Sequence, residues 1–186
     1  MSLSRTSAGI VVGAFVAISV GCSPGVEGQP EGSQTEKATA SSLAPSSPSS
    51  ADSLAGIDPC SLLKANELSK YGNFPQGSPG NVGVGKQCDF QKTREGAADS
   101  TLVVSVNVRA DQGLDDAQDM GQGVERAEND GREYARIPSE GSCTIAIGVS
   151  ESSRVDVYAG TTAGTQKSCE IADEVAAMVE QKLPQS

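Results

Sequence analysis

The sequence predicts an α+β domain, in which an antiparallel β-sheet packs against helices at its two chain ends. Three observations support this prediction. Apolar residues alternate with period two at residues 102–108 and 143–149, as in half-buried strands. Apolar residues recur at helical spacing at 169–183, and short turns separate the predicted strands. Hairpin strands flanked by helices are typical of helices packed on one face of a sheet.

Composition limits both the core and the chemistry. The 186 residues are 37% hydrophobic and 3% aromatic, which is enough for a modest aliphatic core. The net charge of −10 argues against nucleic acid and anionic lipid surfaces as direct partners. The absence of histidine excludes Ser-His-Asp and Cys-His catalysis and His-ligated zinc or haem. We therefore expect no catalytic residues, no metal and no cofactor.

The first 21 residues are predicted to be a signal peptide. Arg5 precedes an apolar run at residues 8–20, which has the length of a secretory signal and is too short to span a membrane. Gly21 and Cys22 then resemble the bacterial lipobox, in which the thiol is acylated and becomes the new N-terminus. Ser19 departs from that pattern, and an ordinary signal peptide with a chance cysteine is the alternative.

Cysteine parity favours lipidation. Setting Cys22 aside leaves four cysteines, an even number, as expected in an oxidising compartment. Two or three acyl chains, such as palmitate, anchor a protein stably. We expect a secreted lipoprotein at the extracytoplasmic face of the cell membrane.

Residues 22–53 are predicted to be the lipidated cysteine followed by a disordered tether. Ser, Thr, Pro, Gly and Ala dominate this stretch, and Val26 and Leu43 are its only larger aliphatic residues. Such a composition buries too little apolar surface to offset its conformational entropy. A solvated spacer is the favoured interpretation, and O-glycosylation is the alternative. The predicted domain then occupies residues 54–186.

The domain is predicted to open with a short helix. Asp58 is placed as its N-cap and Pro59 at its first position, where a missing N–H has no consequence. The helix is short or broken and ends at Gly72. Residues 73–85 are predicted to be a loop, and residues 87–93 a strand.

The middle of the domain is predicted to be a series of strands. Residues 113–128 are polar and acidic and predict a weak, exposed helix. The predicted strands lie at residues 100–109, 132–137, 143–150 and 154–158.

The last helix is the best-marked element. Ser168 is placed as its N-cap and Pro184 after its end. Its predicted buried face consists of Cys169, Ala172, Val175, Ala176, Val179 and Leu183.

Four domain cysteines allow three pairings. We favour Cys60–Cys88 and Cys143–Cys169, because each pair would join a helix to a strand. Cys143 and Cys169 also lie on the apolar faces of their predicted strand and helix, so both are expected to point inward. Small cores gain from such crosslinks. Free catalytic thiols would need an activating base, and the chain contains no histidine.

Several motifs resemble functional sites but lack residues that those sites require. Residues 80–87 nearly match the phosphate-binding loop, but Gln87 replaces the hydroxyl that Mg²⁺ requires. Ser61 and Lys64 spell S-x-x-K without the partner motifs of penicillin-binding enzymes. A cluster of aspartates lacks the calcium-loop register and is interpreted as a solvated face: Asp111, Asp115, Asp116 and Asp119.

The chain resembles a family of actinobacterial lipoproteins known only as a domain of unknown function. The resemblance rests on Asp58-Pro59-Cys60, on Cys88-Asp89-Phe90, on Gly131-Arg132, on residues 143–149, and on Cys169-Glu170-Ile171-Ala172. Phe90 replaces a tryptophan often found there, and Tyr134 alters the usual Gly-Arg-x-Ala. The resemblance implies an envelope lipoprotein with a fold similar to extracellular sensor modules and PsbP. It transfers no catalytic residues.

The leading functional hypothesis is a non-enzymatic binding or interaction module. Its expected partner is an envelope protein, a cell-wall glycan or a small apolar ligand between helix and sheet. The first alternative is a hydrolase using carboxylates such as Asp89 and Glu133, which requires that the two converge in a cleft. The second is a structural subunit of an envelope complex.

Overall fold

The computed structural model describes residues 54–185. The predicted signal peptide (1–21), the predicted lipidation at Cys22 and the predicted tether (22–53) lie outside these residues, as does residue 186. Within residues 54–185, no helix is long and apolar enough to cross a membrane.

Seven antiparallel strands form one sheet in the order β1-β2-β3-β7-β6-β5-β4. The predicted α+β class is confirmed, because the α-helices pack on one face of this sheet. The strands are β1 Ser78–Val82, β2 Gly85–Gln91, β3 Leu102–Arg109, β4 Glu125–Asn129, β5 Arg132–Ser139, β6 Ser142–Ser150 and β7 Ser153–Thr161.

Among the residues that the structure describes, the helices with both ends defined are α1 Pro59–Leu62, the 3₁₀ helices Ala65–Tyr71 and Leu114–Asp116, and α2 Thr165–Glu180. The predicted start of the first helix is confirmed, because the N–H of Cys60 donates to Asp58 Oδ1 at 3.0 Å. The predicted break is also confirmed. α1 ends at Leu62, and the following 3₁₀ helix ends at Tyr71, with Gly72 as its C-cap.

The main core lies between the sheet and the helices. Alternate residues of the central strands point toward α2, as the period-two pattern predicts. All six residues of the predicted buried face of α2 are buried. The central strands contribute Val104, Val106, Ile145, Ile147, Val155 and Val157.

Two disulfides join helices to strands, in the pairs that the sequence analysis favours. Cys60 is bonded to Cys88, connecting α1 to β2. Cys143 is bonded to Cys169, connecting β6 to α2. Cys88, Cys143 and Cys169 are buried in the main core, and Cys60 is half-buried at its margin.

The loop predicted for residues 73–85 is wrong in its second half. Residues 78–82 form β1, which pairs antiparallel with β2. β1 is an edge strand whose residues are almost all exposed, and it contains a proline at position 79. Its sequence therefore lacks the alternation of apolar and polar residues that predicts a strand. Gly83 turns the chain with a positive φ of 59°, and the near-match to a phosphate loop is therefore this hairpin.

The weak helix predicted for residues 113–128 is also wrong. This segment contains one 3₁₀ turn, an irregular stretch and then β4. Asp116 accepts a hydrogen bond from the N–H of Gly113, and Asp119 accepts from the N–H groups of Gly121 and Gly123. Short acidic side chains here bind nearby backbone instead of supporting a helix.

The predicted N-cap of the last helix is wrong by one turn. α2 begins at Thr165, and Ser168 is buried inside its first turn. The Ser168 hydroxyl donates to the carbonyl of Gly141 and accepts from the N–H of Thr161. Ser168, which the local pattern predicts as a helix cap, therefore bonds to distant parts of the chain instead.

The face of the sheet opposite the helices carries a buried charge cluster. Arg154 and Asp156 form a two-contact ion pair on β7, with Nε to Oδ1 at 2.7 Å. Nε of Arg109 lies 3.1 Å from Asp156 Oδ2. Arg154 also donates to the carbonyl of Gly113, which ties the irregular segment after β3 to this face.

Candidate functional site

A cleft of about 420 Å³ opens between α2 and the β4–β5 hairpin, on the helix side of the sheet. Its volume falls in the range of small-molecule sites, about 300–1,000 Å³. α2 contributes one face at helical spacing: Asp173, Ala176, Ala177 and Glu180. The strands contribute Glu125, Ala127, Asn129, Tyr134, Arg136 and Ile145.

The cleft exists because α2 lies over the middle of the sheet and not over its edge. α2 packs mainly on β6 and β7, so β4 and the adjoining part of β5 extend beyond it. Ala127, Ala176 and Ala177 carry single methyl groups at positions where larger side chains would fill the space. The floor is consequently apolar, with Ile145 buried at its base.

Arg136 is the cationic group of the cleft. Its guanidinium lies 3.8 Å from Glu125 and 3.7 Å from Asp173, distances longer than those of hydrogen bonds. Its Nε is buried and has no hydrogen-bond partner among residues 54–185. Most buried N–H donors are paired, so this atom has hydrogen-bonding capacity that the protein itself does not use.

Asp173 faces the same space from the helix. The Asp173 side chain is 48% exposed, and its partial burial raises the pKa of its carboxyl above the usual aspartate value; nearby Arg136 lowers that pKa and Glu125 raises it. Carboxyl groups with raised pKa values in clefts are candidates for functional sites. Asp173 and Arg136 thus give the cleft a polar rim above its apolar floor.

One end of the cleft is closed by a connected polar group. The Tyr134 hydroxyl donates to Glu180, and Nε of the buried Arg132 lies 3.3 Å from the same carboxylate. Burial and the bond to Glu180 raise the pKa of Tyr134 to about 12. Arg132 also donates to the carbonyls of Gly148 and Pro184, so this wall is fixed to β6 and to the chain after α2.

The carboxylates of the hydrolase alternative do not converge. Asp89 is on β2 and Glu133 on β5, and three strands separate them. At about 4.8 Å per strand, this separation is about 19 Å. Asp89 accepts instead from Ser105 at 2.5 Å and from Gln87. The two residues therefore do not form a single acid–base site.

The S-x-x-K residues are bonded locally. The Ser61 hydroxyl donates to the carbonyl of Asp58 at 2.6 Å, and Nζ of Lys64 donates to that of Cys60 at 2.8 Å. The four aspartates of the predicted solvated face are exposed. Asp116 and Asp119 accept hydrogen bonds from nearby backbone N–H groups, and Asp115 lies 3.6 Å from Arg126. Within residues 54–185, no group of three or more potential metal-ligating side chains comes together.

Sequence reasoning missed the cleft residues that matter most. Arg136 and Ala177 carried no signal, because their role depends on where α2 crosses the sheet. Asp173 was not singled out as a candidate site residue. Tyr134 was singled out as a departure from the Gly-Arg-x-Ala pattern, and its bond to α2 was not predictable from local pattern.

The fold and cleft define a disulfide-crosslinked α+β domain with a cleft between helix and sheet. A family model described as "Protein of unknown function (DUF3558)" matches residues 17–182. The match covers most of the chain, and the chain belongs to this family. No curated protein and no solved structure matches the chain.

Proposed function

We propose that this chain is a cell-envelope lipoprotein whose domain binds a small amphipathic ligand in the helix–sheet cleft without catalysing a reaction. The apolar run at residues 8–20, followed by Gly21 and Cys22, supports export and acylation at Cys22. Two disulfides, which use all the cysteines of residues 54–185, are consistent with an oxidising compartment. The domain would then work at the extracytoplasmic face of the cell membrane.

The observation that carries the binding proposal is the contrast between the floor and the rim of the cleft. Apolar atoms of Ile145, Ala176 and Ala177 favour an apolar ligand body. Arg136, whose side chain is partly exposed, offers the terminal N–H groups of its guanidinium to a polar group on that ligand. Few precisely placed polar groups in a mainly apolar pocket are typical of small-molecule sites.

A binding role also fits the charges around the cleft. Glu180 is engaged by Arg132 and Tyr134, and Arg136 lies between Glu125 and Asp173. Pairing of this kind holds side chains in place and does not supply a nucleophile with an activating base. We therefore assign no catalytic residue, no cofactor and no nucleic-acid partner.

Filling the cleft tests the proposal. Ala177 is exposed and lines the cleft, so Ala177→Phe should occupy it while leaving the core intact. With the acylated chain in lipid nanodiscs, we expect 8-anilinonaphthalene-1-sulfonate, an apolar ring system with an acidic group, to bind the wild type. Because the phenylalanine removes contacts that the probe makes in the cleft, Ala177→Phe should weaken the affinity for the probe by about tenfold or more.

Gln166→Phe is the matched control, because it adds the same side chain to an exposed position on α2 outside the cleft. It should bind the probe as the wild type does. Equal protein-dependent fluorescence for Ala177→Phe and the wild type would show that the probe binds elsewhere and would refute the cleft assignment.

A further inference from the structure

The sheet ends on one side at β4, whose five residues are all exposed. An open strand edge offers unpaired N–H and C=O groups to another strand. The opposite edge, β1, is less suitable. Inward-facing and outward-facing backbone groups alternate along β1 from the two-residue turn, and this places the backbone groups of Pro79 on the outer edge. Proline has no N–H to donate there. β4 contains neither proline nor glycine.

The β4–β5 turn determines which backbone groups face outward. Asp130 and Gly131 form a two-residue loop with positive φ values of 51° and 79°, and Asn129 pairs with Arg132 across it. The pair that closes such a loop is hydrogen-bonded, and hydrogen-bonded pairs alternate along an antiparallel ladder. The N–H and C=O groups of Arg126 and Glu128 therefore point away from β5.

We propose that β4 pairs antiparallel with β4 of a second copy of this chain, about a twofold axis at Ala127. In this register, Arg126 faces Glu128 of the second copy, and the reverse pair forms on the other side of the axis. The outward backbone groups of these same residues then meet as hydrogen-bonded pairs. The two sheets join into one continuous sheet across the axis.

Charge selects this partner and this register. Arg126 and Glu128 lie on the face opposite the helices, so self-pairing creates two cross-strand pairs of opposite charge. A shift that centres the axis on Arg126 would instead oppose the two arginines. Glu128 already faces Glu133 directly across the β4–β5 ladder, and the arginine of the second copy would offset this like-charge pair.

The small size of Ala127 also fits the axis, because it lets the strands approach at a non-hydrogen-bonded pair. A five-residue edge buries less than the roughly 1,200 Å² of a stable interface, so the dimer is weak when dilute. Confinement of chains in one membrane would raise its population. The two clefts, each lined by Glu125 and Ala127, would then adjoin across the axis.

Cysteine trapping tests the pairing in the full chain. Opposed Cα atoms at a non-hydrogen-bonded pair are about 4.5 Å apart, within disulfide range. In its native membrane, Ala127→Cys should give a disulfide-linked homodimer well above the wild-type background. Ala97→Cys, an exposed loop alanine, reports random collision. Equal crosslinking of the two variants would overturn the proposal, as would capture of a different protein by Cys at position 127.

Charge reversal tests the register. In the Ala127→Cys background, Arg126→Glu or Glu128→Arg alone should lower crosslinking by about tenfold, because each makes both cross-strand pairs repulsive. The two variants co-expressed should crosslink at the original level, since a mixed dimer again pairs opposite charges. Loss of a local contact of Arg126 does not predict this rescue. The pairing would be contradicted if the single charge reversals left crosslinking unchanged, or if the two co-expressed variants did not crosslink.

Discussion

Replacing Cys143 and Cys169 together by alanine is expected to lower the free energy of unfolding by about 3.5 kcal/mol, the loop-entropy value for a crosslink of this span. The disulfide closes a loop with a sequence separation of 26 and ties the start of β6 to α2. Without it, the unfolded chain gains conformational freedom that the folded chain does not.

Urea unfolding of the oxidised wild type and the double variant measures the difference, with the slope compared to detect a change in the unfolded state. Cys60→Ala with Cys88→Ala is the matched comparison, because its sequence separation of 28 predicts nearly the same loss. A loss below about 1 kcal/mol for the Cys143–Cys169 variant would contradict a supporting role for this crosslink.

Asp156→Asn is expected to destabilise the domain by about 3–5 kcal/mol, the usual consequence of breaking a buried ion pair on one side. The side chains of Arg154 and Asp156 are only 7% and 8% exposed, so the change leaves a buried guanidinium without its counter-charge. Arg109 loses the same partner. The segment after β3 should also become more sensitive to protease, because Arg154 holds Gly113.

Asp111→Asn removes one negative charge from an exposed position nearby and should change stability little. The difference between the two variants should persist at about 1 M salt, where the Debye length is only about 3 Å, because buried pairs are weakly screened. Equal stability of the two variants, or a difference that salt abolishes, would mean that the Arg154–Asp156 pair behaves as a surface contact.

Elements with strong periodicity were predictable from the sequence. β3 and β6 alternate with period two, and one side of each is buried against the helices. α2 shows its buried face in its apolar spacing. In each case, burial of one face stabilises the element and requires apolar residues at a regular spacing, which is the pattern that predicts it.

The edge strands were not predictable in this way. β1 and β4 are almost wholly exposed, so burial imposes no alternation on them. The composition of β4, Glu-Arg-Ala-Glu-Asn, favours a helix in isolation. Pairing with β5 makes it a strand, because tertiary context outweighs a weak local propensity.

The cleft depends on those same edge strands. Its outer wall is β4, and its room comes from the offset of α2 toward β6 and β7. Neither feature is encoded within one segment of the sequence. The cysteine pairs could be predicted from the sequence, because each joins a predicted helix to a predicted strand.

The intact mass of the protein from its native membrane, measured before and after reduction and alkylation, tests the lipoprotein account most directly. The account predicts the mass of residues 22–186 plus acyl chains, with four cysteines alkylated only after reduction. An unacylated chain would contradict anchoring at Cys22. Alkylation of the domain cysteines before reduction would contradict both the crosslinked domain and its oxidising location.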